Sequence, residues 1–273
     1  MAMAPSSSVP MTDRINNPFA PRRGGPAQGA APAARPGPPG QPAARPGPAA
    51  EGAPTRALDL PLRAMTGYEE EVVERRQGEA NTAALCNEIV ARCMVPPGAD
   101  ASAAYERVRA LHIAERDVAL LAIRRLSLGD EVACDVGCPA CGAACTVDFR
   151  LSALPVSLGP IPAETEATLA DGTRVVLRLP TAGDQEDLLD AALATESERR
   201  TFLLSRAIVR FGEREEPFDF ARARALPIAV RSALEQAIEA ALPDLDLSMA
   251  VACSACGHNF TSPFDVSAFF LPR

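Results

Sequence analysis

Lysine and tryptophan are absent from this 273-residue chain, and only two histidines occur, His112 and His258. All 27 basic side chains are therefore arginine. Without lysine there is no Schiff-base amine and no phosphate-loop lysine. With two histidines, most general acid–base schemes and Cys/His nucleophile pairs lack their usual proton carrier. Aromatic residues make up 4% of the chain, too few for the stacking platforms of sugar or single-stranded nucleic-acid sites. No apolar run approaches the ~20 residues that span a bilayer. The first twenty residues, broken by Pro5, Pro10 and Pro18, hold no apolar core of a secretory signal. Serine-hydrolase elbows, HExxH pairs, phosphate loops and dinucleotide fingerprints do not occur. These absences point away from an enzyme, a small-molecule substrate and membrane insertion, and towards a protein made in the cytoplasm.

The net charge of -8 is unevenly spread. Residues 1–56 carry six arginines against Asp13 and Glu51, and the rest of the chain is strongly acidic. An acidic body argues against a nucleic-acid-binding surface. Residues 1–56 consist mainly of Pro, Ala, Gly and Arg, and Ala33-Ala34-Arg35-Pro36-Gly37-Pro38 recurs ten residues later. Such a segment has little to bury and cannot offset its ordering entropy. The expected organisation is a disordered arm over 1–56 and a folded body over 57–273.

The body reads as α+β, a helical body with short β-hairpins. Leu58, Leu60 and Leu62 alternate as in a short edge strand or an extended lead-in. Thr66 and Glu69 have capping-box spacing ahead of a charged helix over 68–76. Further helices are expected at about 82–93, 114–126, 185–194, 198–211 and 229–242. Pro96-Pro97-Gly98 breaks the chain, and Gly129 stops the helix before it. Strands are expected over 131–134 and 144–151. The Asp171-Gly172 pair suits a two-residue type I′ hairpin turn, followed by a strand through Val175, Leu177 and Leu179.

Eight cysteines without a secretory signal read as reduced thiols or metal ligands. Cys138-Pro139-Ala140-Cys141-Gly142 is followed by Phe149 and Ser152-Ala153; Cys253-Ser254-Ala255-Cys256-Gly257 is followed at the same offsets by Phe264 and Ser267-Ala268. This is an internal repeat of a cysteine knuckle plus a strand. Two thiolates at this spacing reach one tetrahedral Zn²⁺, and the glycine permits the tight turn. One knuckle supplies two ligands, so Cys138, Cys141, Cys253 and Cys256 are expected to share a structural zinc as a split zinc ribbon, with the intervening helices inserted between them. A local set of Cys134, Cys138, Cys141 and Cys145 is the rival, and His258 is a possible replacement ligand. Cys86 and Cys93, seven apart on one helical face, read as buried apolar residues. His112 reads as structural.

Several segments taken in order resemble a known family: Arg63-Ala64-Met65-Thr66-Gly67-Tyr68-Glu69-Glu70-Glu71, then Glu115-Arg116-Asp117 with Leu128-Gly129-Asp130, then Cys138 to Gly142, Leu177-Arg178-Leu179-Pro180-Thr181, and Cys253 to Phe264-Asp265. The pattern, over about residues 58–273, is similar to the baseplate-protein family of T4-like contractile phage tails and related contractile injection systems. The resemblance implies a structural or assembly component that binds other baseplate or tail proteins, with incorporation in a phage-tail or injection-system particle as one outcome. The alternative from a different class is a zinc-ribbon module associated with nucleic acid or transcription.

Overall fold

The computed structural model describes residues 59–76, 78–154, 158–213, 218–243 and 248–263. The arm over 1–56, Leu58, and the aromatic residues Phe264, Phe269 and Phe270 lie outside them. Among the described residues there are eight α-helices and three small antiparallel sheets, so the chain is α+β. No helix among them is long and apolar enough to cross a membrane.

Four helices come first: α1 (Gly67–Arg75), α2 (Thr82–Cys93), α3 (Ser102–Arg109) and α4 (Ile113–Leu128). Thr66 and Glu69 form the expected capping box at α1, and Asn81 caps α2 by accepting the Ala84 N–H. His112 caps α4, its Nδ1 accepting the Ala114 N–H at 3.1 Å, and so has a structural role. A hairpin follows, β1 (Glu131–Gly137) and β2 (Ala144–Arg150). Its inward side chains, Val132 and Cys145 among them, pack with Ile89, Val90, Leu120 and Ile123 in one core. Cys86 and Cys93 are buried in the same core, and burial pushes the Cys93 thiol up to about 12.

The second part has its own core. Strands β3 (Glu164–Thr168), β4 (Arg174–Arg178) and β5 (Ile208–Phe211) form an antiparallel sheet in that order. Helices α5 (Ala182–Asp190), α6 (Glu196–Ala207), α7 (Phe220–Ala225) and α8 (Ile228–Ala241) surround it. Leu177, Leu204, Leu234 and Ile238 are fully buried between sheet and helices. The chain then returns to a last hairpin, β6 (Ser248–Ala252) and β7 (Asn259–Pro263). Its Met249 and Val251 pack into the first core, not the second, and β6 lies against β2.

Four expectations are corrected. The helix expected over 198–211 ends at Ala207, and Ile208–Phe211 pairs with β4 instead. Its β-branched start, Ile208-Val209, suits a pleated strand better than a helix end. Helices α3 and α7 were not expected. They have only eight and six residues, too few turns for a legible apolar stripe. Strand β1 runs on to Gly137, beyond Cys134. The turn at Asp171-Gly172 is not type I′, which needs positive φ at both central residues. Here Gly172 alone has positive φ, 83°, and its N–H donates to the Leu169 carbonyl at 2.9 Å. The loop is the longer hairpin form that ends on a left-handed glycine.

The knuckle repeat proves to be the end of a longer one. At the same 115-residue offset as the cysteines, Arg63, Thr66 and Glu69 meet Arg178, Thr181 and Asp184. Arg107-Val108-Arg109-Ala110-Leu111-His112-Ile113-Ala114-Glu115-Arg116 meets Arg222-Ala223-Arg224-Ala225-Leu226-Pro227-Ile228-Ala229-Val230-Arg231, with seven of ten residues identical. The elements follow suit. Helices α1 and α5 have nine residues each, α2 and α6 twelve each, and α4 and α8 start at Ile113 and Ile228. Even the lead-in at Leu60–Arg63 lies where β4 lies in the second copy: the Arg63 N–H donates to the Cys93 carbonyl at 3.0 Å, and Leu177 pairs with Ile208, the residue that matches Cys93. The body is a tandem pair of one module, helices followed by a knuckled hairpin.

Candidate metal centre

Each knuckle is a turn at a hairpin tip, and the two have the same backbone. The Gly142 N–H donates to the Cys138 carbonyl at 2.8 Å and the Cys138 N–H to the Ala143 carbonyl at 2.9 Å. The Gly257 N–H donates to the Cys253 carbonyl at 2.8 Å and the Cys253 N–H to the His258 carbonyl at 2.9 Å. Gly142 and Gly257 have φ of 73° and 74°, the left-handed region that residues with a Cβ adopt only at a cost. Glycine after the second cysteine is thus required by the turn in both copies.

The tertiary fold brings the two tips together. The Sγ atoms of Cys138, Cys141, Cys253 and Cys256 all lie within 4.8 Å of one another. They pair reciprocally between copies: Cys138 with Cys256 at 3.7 Å, and Cys141 with Cys253 at 3.7 Å. A disulfide would need about 2.05 Å. A tetrahedral ion with metal–sulfur bonds of about 2.3 Å has sulfurs about 3.8 Å apart, so the spacing suits four ligands around one metal. Cys138 and Cys253 are buried while Cys141 and Cys256 are exposed, which places the cluster at the protein surface with one flank against the core.

The backbone also favours the thiolate of Cys253. The Cys256 N–H, with that of Ala255 and the thiols of Cys256 and Cys141, holds Cys253 down at about 6 against burial. Cys256 is driven up to about 12: the His258 N–H favours its thiolate, but burial and the neighbouring thiols of Cys141, Cys253 and Cys138 outweigh it. A positive ion joining Cys253 and Cys256 would favour the thiolate of each.

Cys134 and Cys145, the extra members of the rival local set, are not grouped with these four; among the described residues the four-cysteine cluster is the one set of three or more donors close enough for a metal. Cys145 is buried, with its thiol directed to the Ala143 carbonyl at 3.8 Å. His258 is exposed and stacks on Phe260, ring centres 6.1 Å apart. Phe149 packs partly buried against the first core, whereas its counterpart Phe264 lies outside the described residues.

Sequence reasoning missed a second paired feature. Arg63 grips Glu69 with both terminal nitrogens, at 2.9 and 3.0 Å, and donates to the Arg92 and Val95 carbonyls at the end of α2. Arg178 grips Asp184 in the same way, at 2.6 and 2.8 Å, and Asp184 completes the capping box of α5 with Thr181. The signal was present as Arg-x-x-Thr-x-x-acid in both copies. These tie an extended lead-in (Arg63) and a strand (Arg178) to the helix that follows, with no chemistry directed at a ligand.

Residues 53–271 match the family described as T4 bacteriophage base plate protein, a span that takes in both modules and both knuckles. No curated protein and no solved structure matches the chain. With the match covering most of its length, the chain belongs to the T4 bacteriophage base plate protein family.

Proposed function

We propose that the protein is a structural or assembly component of the baseplate of a contractile tail or related injection system, clamped by one structural zinc ion on Cys138, Cys141, Cys253 and Cys256. The family match supports the baseplate role. The observation that carries the metal is the approach of four sulfurs from two distant hairpins to within 4.8 Å. Zinc suits an all-thiolate tetrahedral set, and four thiolates leave no position for water or substrate, so the ion holds structure and performs no reaction. The two hairpins with their shared ion then form a split zinc ribbon, and the second module's helices are the insertion between its halves. The partners are other baseplate or tail proteins. Residues 1–52 lie outside the family match.

Elemental analysis of the purified protein should find about one zinc per chain, and a Cys253→Ser, Cys256→Ser protein should lose it. Full zinc retention in that double variant would sink the shared site. Deletion of the gene from its cluster should abolish complete tails. Normal yields of contracting, active particles would reject the baseplate role without touching the metal.

A further inference from the structure

Among the described residues, the tandem modules expose an unfilled copy of an interface that is filled inside this chain. In the first module, the start of α4 is covered by the second. Ile113 is 4% exposed and belongs to the second core, beside Leu177, Leu179 and Leu188. The Leu111 carbonyl accepts the Ala182 N–H at 2.8 Å, and His112 forms a bridge with Thr181. Arg116, 3% exposed, donates to Gln185 at 2.7 Å, and Arg109 pairs with Glu186 and Asp187 at 2.5 and 2.8 Å. What fills this face is the corner where β4 runs into α5.

The same face recurs in the second module with nothing of this chain's described residues on it. Ile228, the counterpart of Ile113, is 85% exposed, the most exposed of the large apolar side chains described. Ala229 and Arg224, counterparts of the buried Ala114 and of the ion-paired Arg109, are exposed as well. The contact between modules is head-to-tail: the α4 face of one meets the strand–helix corner of the next. A head-to-tail contact leaves its donor face open at one end of the array.

We infer that the open face formed by Arg224 and Pro227-Ile228-Ala229 docks a strand–helix corner of another protein, built as the β4–α5 corner is. That corner has a threonine-capped helix start, a small residue second in the helix, and an acidic pair in the following turn for Arg224. A second copy of this chain is the poorer occupant. Its own corresponding corner carries Tyr68 where α5 has Gly183, and even a Cβ at Gly183 would lie 3.1 Å from the Arg109 carbonyl oxygen. A tyrosine ring does not enter that space.

The test uses the full-length, metal-loaded protein and a fluorescein-labelled peptide of residues 174–190, which mimics the partner's corner. Fluorescence anisotropy should show saturable binding that rising salt weakens. Both Ile228→Asp and Arg224→Glu should weaken it by about tenfold or more, with unchanged circular dichroism and zinc content. The Arg224→Glu variant carries the test if Ile228→Asp fails to fold. Absence of saturable binding overturns the inference, as does equal binding by both folded variants, since the peptide would then sit elsewhere. Light scattering separates the remaining occupant: concentration-dependent dimers that Ile228→Asp abolishes would assign the face to a second copy and overturn the proposal. These readouts need no assembled tail, so they fail or succeed independently of the baseplate role.

Discussion

Glu69 is 1% exposed, and a buried carboxylate survives only with partners. Burial pushes its ionisation up, but hydrogen bonds from Arg63 and Thr66 and the Arg63 charge outweigh this and hold it at about 2. A group depressed on folding stabilises the protein above its unfolded value and loses that contribution as pH falls through the folded one. Stability should therefore decline between about pH 4.5 and pH 2, by on the order of 3 kcal/mol from this residue. Urea titrations across that range would test it. Glu69→Gln should be less stable at pH 7 and show a flatter acid limb; an acid limb identical to wild type would reject the assignment. The capping half of this arrangement was legible, because Thr66 and Glu69 are three residues apart. The Arg63 half depends on where the end of α2 lies, which no local spacing reveals. At the knuckles, Gly257→Ala should cost about 1–2 kcal/mol, because φ of 74° is strained for alanine. Nothing lies within 4 Å of the added methyl, so a melting temperature unchanged from wild type would show that the turn can relax.

The starts of α1, α2 and α4 were read to within about a residue, since cap and apolar stripe are both local, whereas α5, expected over 185–194, runs Ala182–Asp190 and α6, expected from 198, starts at Glu196. The seam between modules was not legible, because its members come from three helices. Asn87 of α2 donates to Glu186 of α5 at 2.7 Å and accepts from Arg116 of α4 at 3.1 Å. Arg116 also meets Asp117 at 2.7 Å. Removing one member strands a buried charge, which typically costs about 3–5 kcal/mol. Arg116→Met should fall in that range by chemical denaturation. Its counterpart Arg231, which donates to the Ser197 carbonyl and Thr201 within the second module, is more exposed, and Arg231→Met should cost about 1 kcal/mol. Equal losses from the two would show that the seam carries no more than an ordinary helix contact. The short α3 and α7 fall on the same principle: they are helices because the modules pack them, not because their own residues insist on it.

One ion joining two hairpin tips would close a loop of 111 residues between Cys141 and Cys253. Long loops gain most from such a tie, by on the order of 4–5 kcal/mol in the chain-entropy account. Chelation should thus lower the melting temperature and expose the last hairpin first, since its Met249 and Val251 sit on the first module's core at the end of the insertion. Hydrogen exchange of β6 and β7 before and after a chelator measures this; protection that survives metal removal would mean packing alone holds the hairpin. Deleting residues 1–56 should leave zinc content and melting temperature nearly unchanged, and a large fall would show that the arm packs against the body.

The sequence by itself determined the reduced-thiol chemistry, the matched knuckles, the α+β class and the capped helix starts, because each rests on residues close together along the chain. Its 115-residue repeat was written there in full, yet only the cysteine end stood out, since cysteine and glycine identity is constrained by the turn while helix faces tolerate exchange. The tertiary structure alone decided that the last hairpin joins the first core, and that Ile113 is buried while Ile228 is exposed. Those outcomes depend on how one module packs on the next, and packing partners separated by a hundred residues leave no spacing to read.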